Sequence, residues 1–241
     1  MSELLVRKLR GFDALDEAEV RILRDIARQA RSVEARADIV EQGSRPGHST
    51  LILEGLTGRY RILADGRRQI TSIDVPGDFV DLHSFTLKTM DHGVAALSPC
   101  RVAITPHGEL QRITETQPHL TRLLWLTTVI DAAIHREWLV GIGRMSALER
   151  FAHLICELYS RLGAVGLVDA EARSFTLPVT QSDVADMLGL TNVHVNRTLQ
   201  ELRRRGLLTW RGRTVTIPDW AGLTDVARFD PIYLHQHQEP R

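Results

Sequence analysis

The chain is poor in the residues that announce a chemistry by themselves. Only Cys100 and Cys156 are cysteines among its 241 residues, too few and too far apart for a zinc site or a four-thiolate iron–sulfur cluster. Both read as ordinary buried thiols, and a redox role for either stays open. Long hydrophobic runs are also missing. The N-terminal MSELLVRKLRGFDALDEAEV has no apolar signal-peptide core, and no stretch approaches a bilayer span, which predicts a cytoplasmic protein with no membrane partner. A nucleophile elbow, a phosphate-binding loop and a dinucleotide fingerprint are absent. A jelly-roll metal enzyme needs histidines and carboxylates that converge inside the barrel, whereas His48 stands alone in the strand region; no enzymatic activity is expected. Neither sign of charge is in excess, with 30 basic against 30 acidic residues, so bulk composition gives no hint of a polyanionic partner.

What is present is local. QSDVADMLGLTNVHVNRTLQELRRRG, residues 181–206, reads as two short amphipathic helices. Val184, Ala185 and Leu188 mark one buried face, and Val195, Leu199 and Leu202 mark the next. Gly189 falls where the first helix must stop, at a position that favours positive φ. Thr180 and Asp183 have capping-box spacing, and Ala185 is small enough for the steep crossing of a helix-turn-helix. The second helix leaves Thr191, Asn192, Val193, His194, Asn196, Arg197 and Gln200 for solvent, at the end that a recognition helix presents to the major groove. Arg197 can take both acceptors of a guanine, Asn192 can pair with an adenine edge, and Val193 can pack on a thymine methyl. The bland alternative is a helical hairpin whose polar face is merely solvated.

Residues 206–220, GLLTWRGRTVTIPDW, add a tight hairpin with Gly212 between Arg211 and Arg213, a wing suited to phosphates beside the groove. Arg203, Arg204 and Arg205 at the helix end suit either DNA backbone or the helix dipole. Between residues 174 and 217 six arginines face three acids, so the positive field is local.

Upstream, residues 37–104 carry short apolar or alternating runs divided by Gly43, Gly47, Gly55, Asp65-Gly66 and Pro76-Gly77, the pattern of an antiparallel sandwich or jelly-roll. Phe12 to Ala30 has helical periodicity, with Leu15, Val20, Leu23 and Ile26 as its packing residues. From Pro118 a helix of about twenty-five residues is expected. Leu120, Leu123, Leu124, Ile130, Ile134 and Trp138 give it more apolar surface than one small sheet covers, which predicts a dimerisation helix; packing on its own sandwich is the alternative. GIGR, residues 141–144, then interrupts that helix and supplies a hinge at Gly141, Gly143 and Arg144, before a new helix capped by Ser146 and Glu149. The expected fold is α+β: a roll over residues 1–117, a dimerisation helix and hinge over 118–144, and a winged helix-turn-helix over 145–241.

In that order these elements resemble the CRP/FNR family of bacterial transcription regulators, over nearly the whole chain from Phe12 to Trp220. The most specific pieces are QSDVADMLGLTNVHVNRTLQELRRRGLL, IVEQG, LILEGLTGRYRIL and PGDFV. The resemblance implies a cyclic-nucleotide-binding-like roll that senses a small-molecule effector. It implies a homodimer on a palindromic double-stranded DNA site, and RNA polymerase as a further partner. It also places Asn192, Val193 and Arg197 at base-facing positions, with Val193 where an acidic residue is common in the family. The family's phosphate cassette, G-E-L followed by an R-S or R-T pair, is replaced by FVDLHSF and DHGVAAL. A buried cyclic phosphate would then lack its Arg partner, so cyclic AMP and cyclic GMP are disfavoured. The effector is unknown. His83, His92, His107 and Cys100 keep a haem or metal sensor as an alternative without ligand-grade spacing. His235 and His237 lie in a polar tail expected to be disordered. A protein-binding adaptor that keeps the fold without reading DNA is the other alternative.

Overall fold

A computed structural model describes residues 3–241. Its contacts group into two compact bodies, the described residues through 61 with 71–132 and 235–241, and residues 62–70 with 133–234.

The first body opens with α1 (Glu3–Arg10) and α2 (Glu17–Ile26). The backbone N–H of Glu19 donates to Asp16 Oδ1 at 2.8 Å, and the N–H of Asp16 donates to Glu19 Oε2 at 3.0 Å, a reciprocal cap that sets where α2 begins. Val20, Leu23 and Ile26 are buried as their spacing predicts, while Leu15 precedes the helix. The strands are β1 (Ala30–Val33), β2 (Asp38–Val40), β3 (His48–Glu54), β4 (Thr57–Ile62), β5 (Arg68–Asp74), β6 (Gly93–Ala96) and β7 (Cys100–Pro106), with the short helix α3 (Ser84–Leu87) after β5. They form two antiparallel sheets, β1-β7-β3 and β2-β6-β4-β5. Ile39, Val40, Ile52, Val80, Met90, Val94, Ala96, Cys100 and Val102 fill one core, as expected where inward residues alternate along facing sheets. The helices α4 (His107–Thr116) and α5 (Pro118–Arg144) follow.

Two expectations are corrected. GIGR does not interrupt the long helix: α5 runs unbroken through Gly141 and Gly143 to Arg144, because isolated glycines cost a helix only about 1 kcal/mol each. The break falls one residue later, at Met145, where Ser146 caps the next helix. The C-terminal residues are also ordered against the first body. Glu239 N–H donates to Phe12 O at 2.9 Å, and Arg241 N–H donates to Asp13 Oδ2 at 2.5 Å. A polar composition says nothing of acceptors waiting more than two hundred residues away.

The second body contains α6 (Ala147–Ala164), β8 (Val168–Asp169), β9 (Ser174–Thr176), α7 (Gln181–Leu188), α8 (Asn192–Arg204), β10 (Thr209–Arg211), β11 (Thr214–Thr216) and α9 (Trp220–Ala227). Its strands make one small sheet in the order β10-β11-β9-β8. Val184, Ala185, Leu188, Val195, Leu199 and Leu202 are all buried where α7, α8 and α6 meet. Among the described residues no helix is long and apolar enough to cross a membrane.

Candidate nucleic-acid interface

The helix-turn-helix is held open by local chemistry. Thr180 Oγ1 accepts the N–H of Asp183 at 3.1 Å, and Asp183 Oδ2 accepts the N–H of Thr180 at 2.9 Å, so α7 starts at Gln181. Gly189 ends it at φ +62°, in the left-handed region where a side chain is strained. The chain then turns within two residues into α8. Thr191 accepts the N–H of His194 at 3.3 Å and so serves as the N-cap. Asn192, Val193, His194, Asn196, Arg197 and Gln200 are all exposed. Val193 is the most telling, an aliphatic side chain left 80% exposed at the tip of a well-packed helix; water is a poor partner for it and a thymine methyl a good one. Arg197 donates to His194 Nε2 at 2.7 Å, which holds the guanidinium over the first turn of α8.

The wing forms as expected: Trp210 pairs with Val215 and Arg211 with Thr214. Gly212 turns the hairpin at φ +59°, which leaves Arg211 and Arg213 exposed at its tip. The arginines at the end of α8 are committed within the chain. Arg204 and Arg205 both bond Glu201, at 2.8 and 2.7 Å, and those hydrogen bonds hold the Glu201 carboxyl down at about 2. Arg203 donates to the carbonyl of Trp210 and so fastens the wing to α8.

Sequence reasoning missed a further support of α7. Residues 62–70, the tip of the β4–β5 hairpin, belong to this same body. Arg68 donates to Asp183 Oδ1 at 2.7 Å and to Asp186 Oδ2 at 2.8 Å, and Gln69 Nε2 donates to the carbonyl of Asp186 at 2.6 Å. A fork on two carboxylates one turn apart orients a helix as well as charging it. Contacts spanning more than one hundred residues leave no trace in local spacing.

Along α5 the apolar residues divide. Leu120, Leu123, Leu124, Ile130 and Ile134, expected at a dimer seam, are buried within the chain itself. Trp138 is half-buried, and its Nε1 donates to Glu157 Oε2 at 3.0 Å. Glu157, fully buried on α6, also accepts from Tyr233 Oη at 3.0 Å and from Arg161 Nη1 at 2.9 Å, which locks α6 to the end of α5. The apolar residues that α5 leaves exposed are Trp125, Val129, Leu139, Val140 and Ile142. Spacing alone cannot tell which stripe of a helix its own chain will cover.

The roll interior answers the question of the effector in part. Arg59, the one arginine buried in the roll among the described residues, pairs with Asp74 at 3.1 Å and with Asp131 of α5, and its Nε donates to the carbonyl of Val80 at 3.0 Å. Burial opposes its charge, but those carboxylates outweigh it and push its pKa up. The segment that would cradle a cyclic phosphate instead offers Asp81, whose carboxyl burial pushes up to about 7. Beside it lies His83, held down to about 4 by burial first and by Arg59 and His92 second. These residues do not fit a cyclic nucleotide phosphate: among the described residues the one arginine buried in the roll is already paired with Asp74 and Asp131. His83 and His92 lie with ring centroids 5.1 Å apart, and each has a buried Nε2 without a partner. His107 bonds Ser84 Oγ at 3.1 Å. No group of three metal-ligating side chains comes together among the described residues. Cys100 and Cys156 are buried and free, and burial raises both thiols, Cys156 to about 12, far from the range of a reactive thiolate.

Comparison with known proteins fits this architecture. Residues 149–226 match the model of the Crp-like helix-turn-helix domain, and residues 30–117 match that of the cyclic nucleotide-binding domain. The transcriptional activator protein FnrL of Cereibacter sphaeroides is 28% identical over 217 residues, 89% of this chain and 86% of that protein. The nitrogen fixation regulation protein FixK of Bradyrhizobium diazoefficiens is 29% identical over 212 residues, 86% of this chain and 85% of that protein. Among solved structures, FixK2 from Bradyrhizobium japonicum superposes with a TM-score of 0.74 at 25% identity, over 82% of this chain and 96% of that one. With a Crp-like reading head, a nucleotide-binding-type roll without its phosphate anchor, and regulators as full-length relatives, the chain belongs to the CRP/FNR family and is a DNA-binding transcription regulator rather than an enzyme.

Proposed function

We propose that the protein acts as a homodimer on palindromic promoter sites, with one α8 in the major groove of each half-site and the wing on the flanking phosphates. The exposed face from Asn192 to Gln200, polar apart from Val193, carries this reading. Two such helices read two-fold symmetric DNA when they are spaced about 34 Å apart. The apolar side chains left exposed on α5, Trp125 and Leu139 foremost, support pairing of two copies through that helix. The roll senses a small-molecule effector other than a cyclic nucleotide, because Arg59 is already neutralised by Asp74 and Asp131. The effector biases the dimer toward the spacing that fits DNA, with RNA polymerase as the downstream partner.

In vitro selection on random duplex DNA at moderate salt, with no ligand added, tests the reading. Recovery of a two-fold symmetric site supports it. Absence of any DNA affinity, even at low salt, overturns it.

A further inference from the structure

The carbonyls that end α7 have no partners within the helix, and they are met in three ways. That of Ala185 accepts the N–H of Gly189 and of Leu190, and that of Leu188 accepts Arg150 Nη1 at 2.8 Å. The two between them, Asp186 and Met187, accept Gln69 Nε2 at 2.6 and 3.4 Å. The neighbouring Arg68 forks onto the Asp183 and Asp186 carboxylates along the side of the same helix. Residues 68 and 69 thus hold α7 along one face and at its end, so the helix neither rolls nor slides without breaking bonds at part-buried atoms, where a lost partner costs more than at the surface. Both residues open β5, a strand of the roll's sheet. At the other end of that strand Asp74 is held by Arg59 at 3.1 Å and accepts from Thr57 Oγ1 at 3.0 Å. A hairpin tip is ordinarily the loose end of a sheet. This one begins a strand that is pinned at both ends by an arginine–aspartate pair.

We propose that Arg68 and Gln69 are positioning residues for DNA reading, acting through α7, on which α8 is packed, rather than by touching DNA. The proposal rests on the reading of α8 as the base-reading helix. A side chain reads a base edge only when its helix is held at the angle the groove requires, and a site whose supports are loose loses discrimination. Phosphate contacts from the wing tolerate that looseness, because they carry no sequence information. Affinity for a preferred duplex therefore depends on this clamp, and affinity for any duplex does not.

Competition binding compares the duplex most enriched by in vitro selection with a scrambled one of the same length. Arg68→Lys, which keeps the charge but not the fork, and Gln69→Ala are each expected to weaken the preferred duplex about tenfold. The scrambled duplex should stay within about twofold of the parent. Asp186→Asn removes one prong of the fork from the other side, and its combination with Arg68→Lys is expected to lose less than the sum of the two, as for residues that act through one contact. Parent-like affinity for the preferred duplex in either single variant, equal losses on both duplexes, or additive losses in the double variant overturn the proposal. Where one variant fails to fold, the other decides. Amide hydrogen exchange on the free protein needs no DNA: faster exchange in α7 with unchanged exchange in α6 is expected for both single variants, and parent-like exchange in α7 overturns the clamp. A parent protein that does not tell the two duplexes apart overturns the proposed function instead, and the exchange result still decides whether residues 68 and 69 hold α7.

Discussion

The two charged regions of this molecule treat arginine in opposite ways. On α8 and the wing, Arg197, Arg211 and Arg213 are exposed, with no carboxylate bound to any of them. Inside the roll, Arg59 is 5% exposed and closed off by Asp74, Asp131 and a carbonyl. A guanidinium kept for an outside partner is left solvated, because water is easily displaced. One used as a cross-brace must have its desolvation offset within the fold. The difference separates arginines left available to an outside partner from one that braces the fold.

The harshest way to break the comparison is Arg59→Ala. It removes the guanidinium from the buried Asp74 and the partly buried Asp131 and is expected to cost about 3 to 5 kcal/mol in urea unfolding. A loss below about 1 kcal/mol would mean that Arg59 does not brace the roll. Next is Arg197→Ala, expected to weaken a selected DNA site by about 1 to 3 kcal/mol and to relax preference at one base pair per half-site. Unchanged binding in a competition assay would remove α8 from its assigned role. Arg211→Ala has a smaller effect, lowering affinity for every sequence alike, which a parallel titration of specific and scrambled duplexes measures.

A last effect is one of pH. Native Asp81, at about 7, keeps a proton that the unfolded chain releases near 3.8, so it removes stability as pH rises across that window. Native His83, at about 4, refuses a proton that the unfolded chain takes near 6.5, so it adds stability as pH rises between those values. Thermal melts should therefore show Asp81→Asn gaining stability relative to the parent as pH rises from about 4 to 7, and His83→Asn losing it between about 4 and 6.5.

How much of this was legible depended on how far apart the partners lie. The reading head is written in spacings of three and four residues: Thr180 with Asp183, Val195 with Leu199, Gly212 between two arginines. Each expectation there has its counterpart in the fold. Gly141 and Gly143 misled, since a helix already stabilised by packing tolerates them. Trp138 looked like dimer surface because its partner, Glu157, lies on the next helix. Arg68 on Asp183 and Asp186, and Arg59 on Asp131, join residues 72 to 118 positions apart. Folding alone brings them together, and no periodicity announces them.

Glu201 has a consequence for the ion atmosphere of DNA. Six arginines counted in residues 174–217 suggest a log–log dependence of affinity on salt of about −5 for each protomer, at about 0.9 counterions released per neutralised phosphate. Glu201 already holds Arg204 and Arg205, Arg203 is spent on the wing, and Arg197 is the one proposed to face the bases. Arg211 and Arg213 remain to displace condensed cations, so the slope should lie near −2 per protomer. Such a regulator tolerates a change in cellular ionic strength that would strip a protein relying on all six.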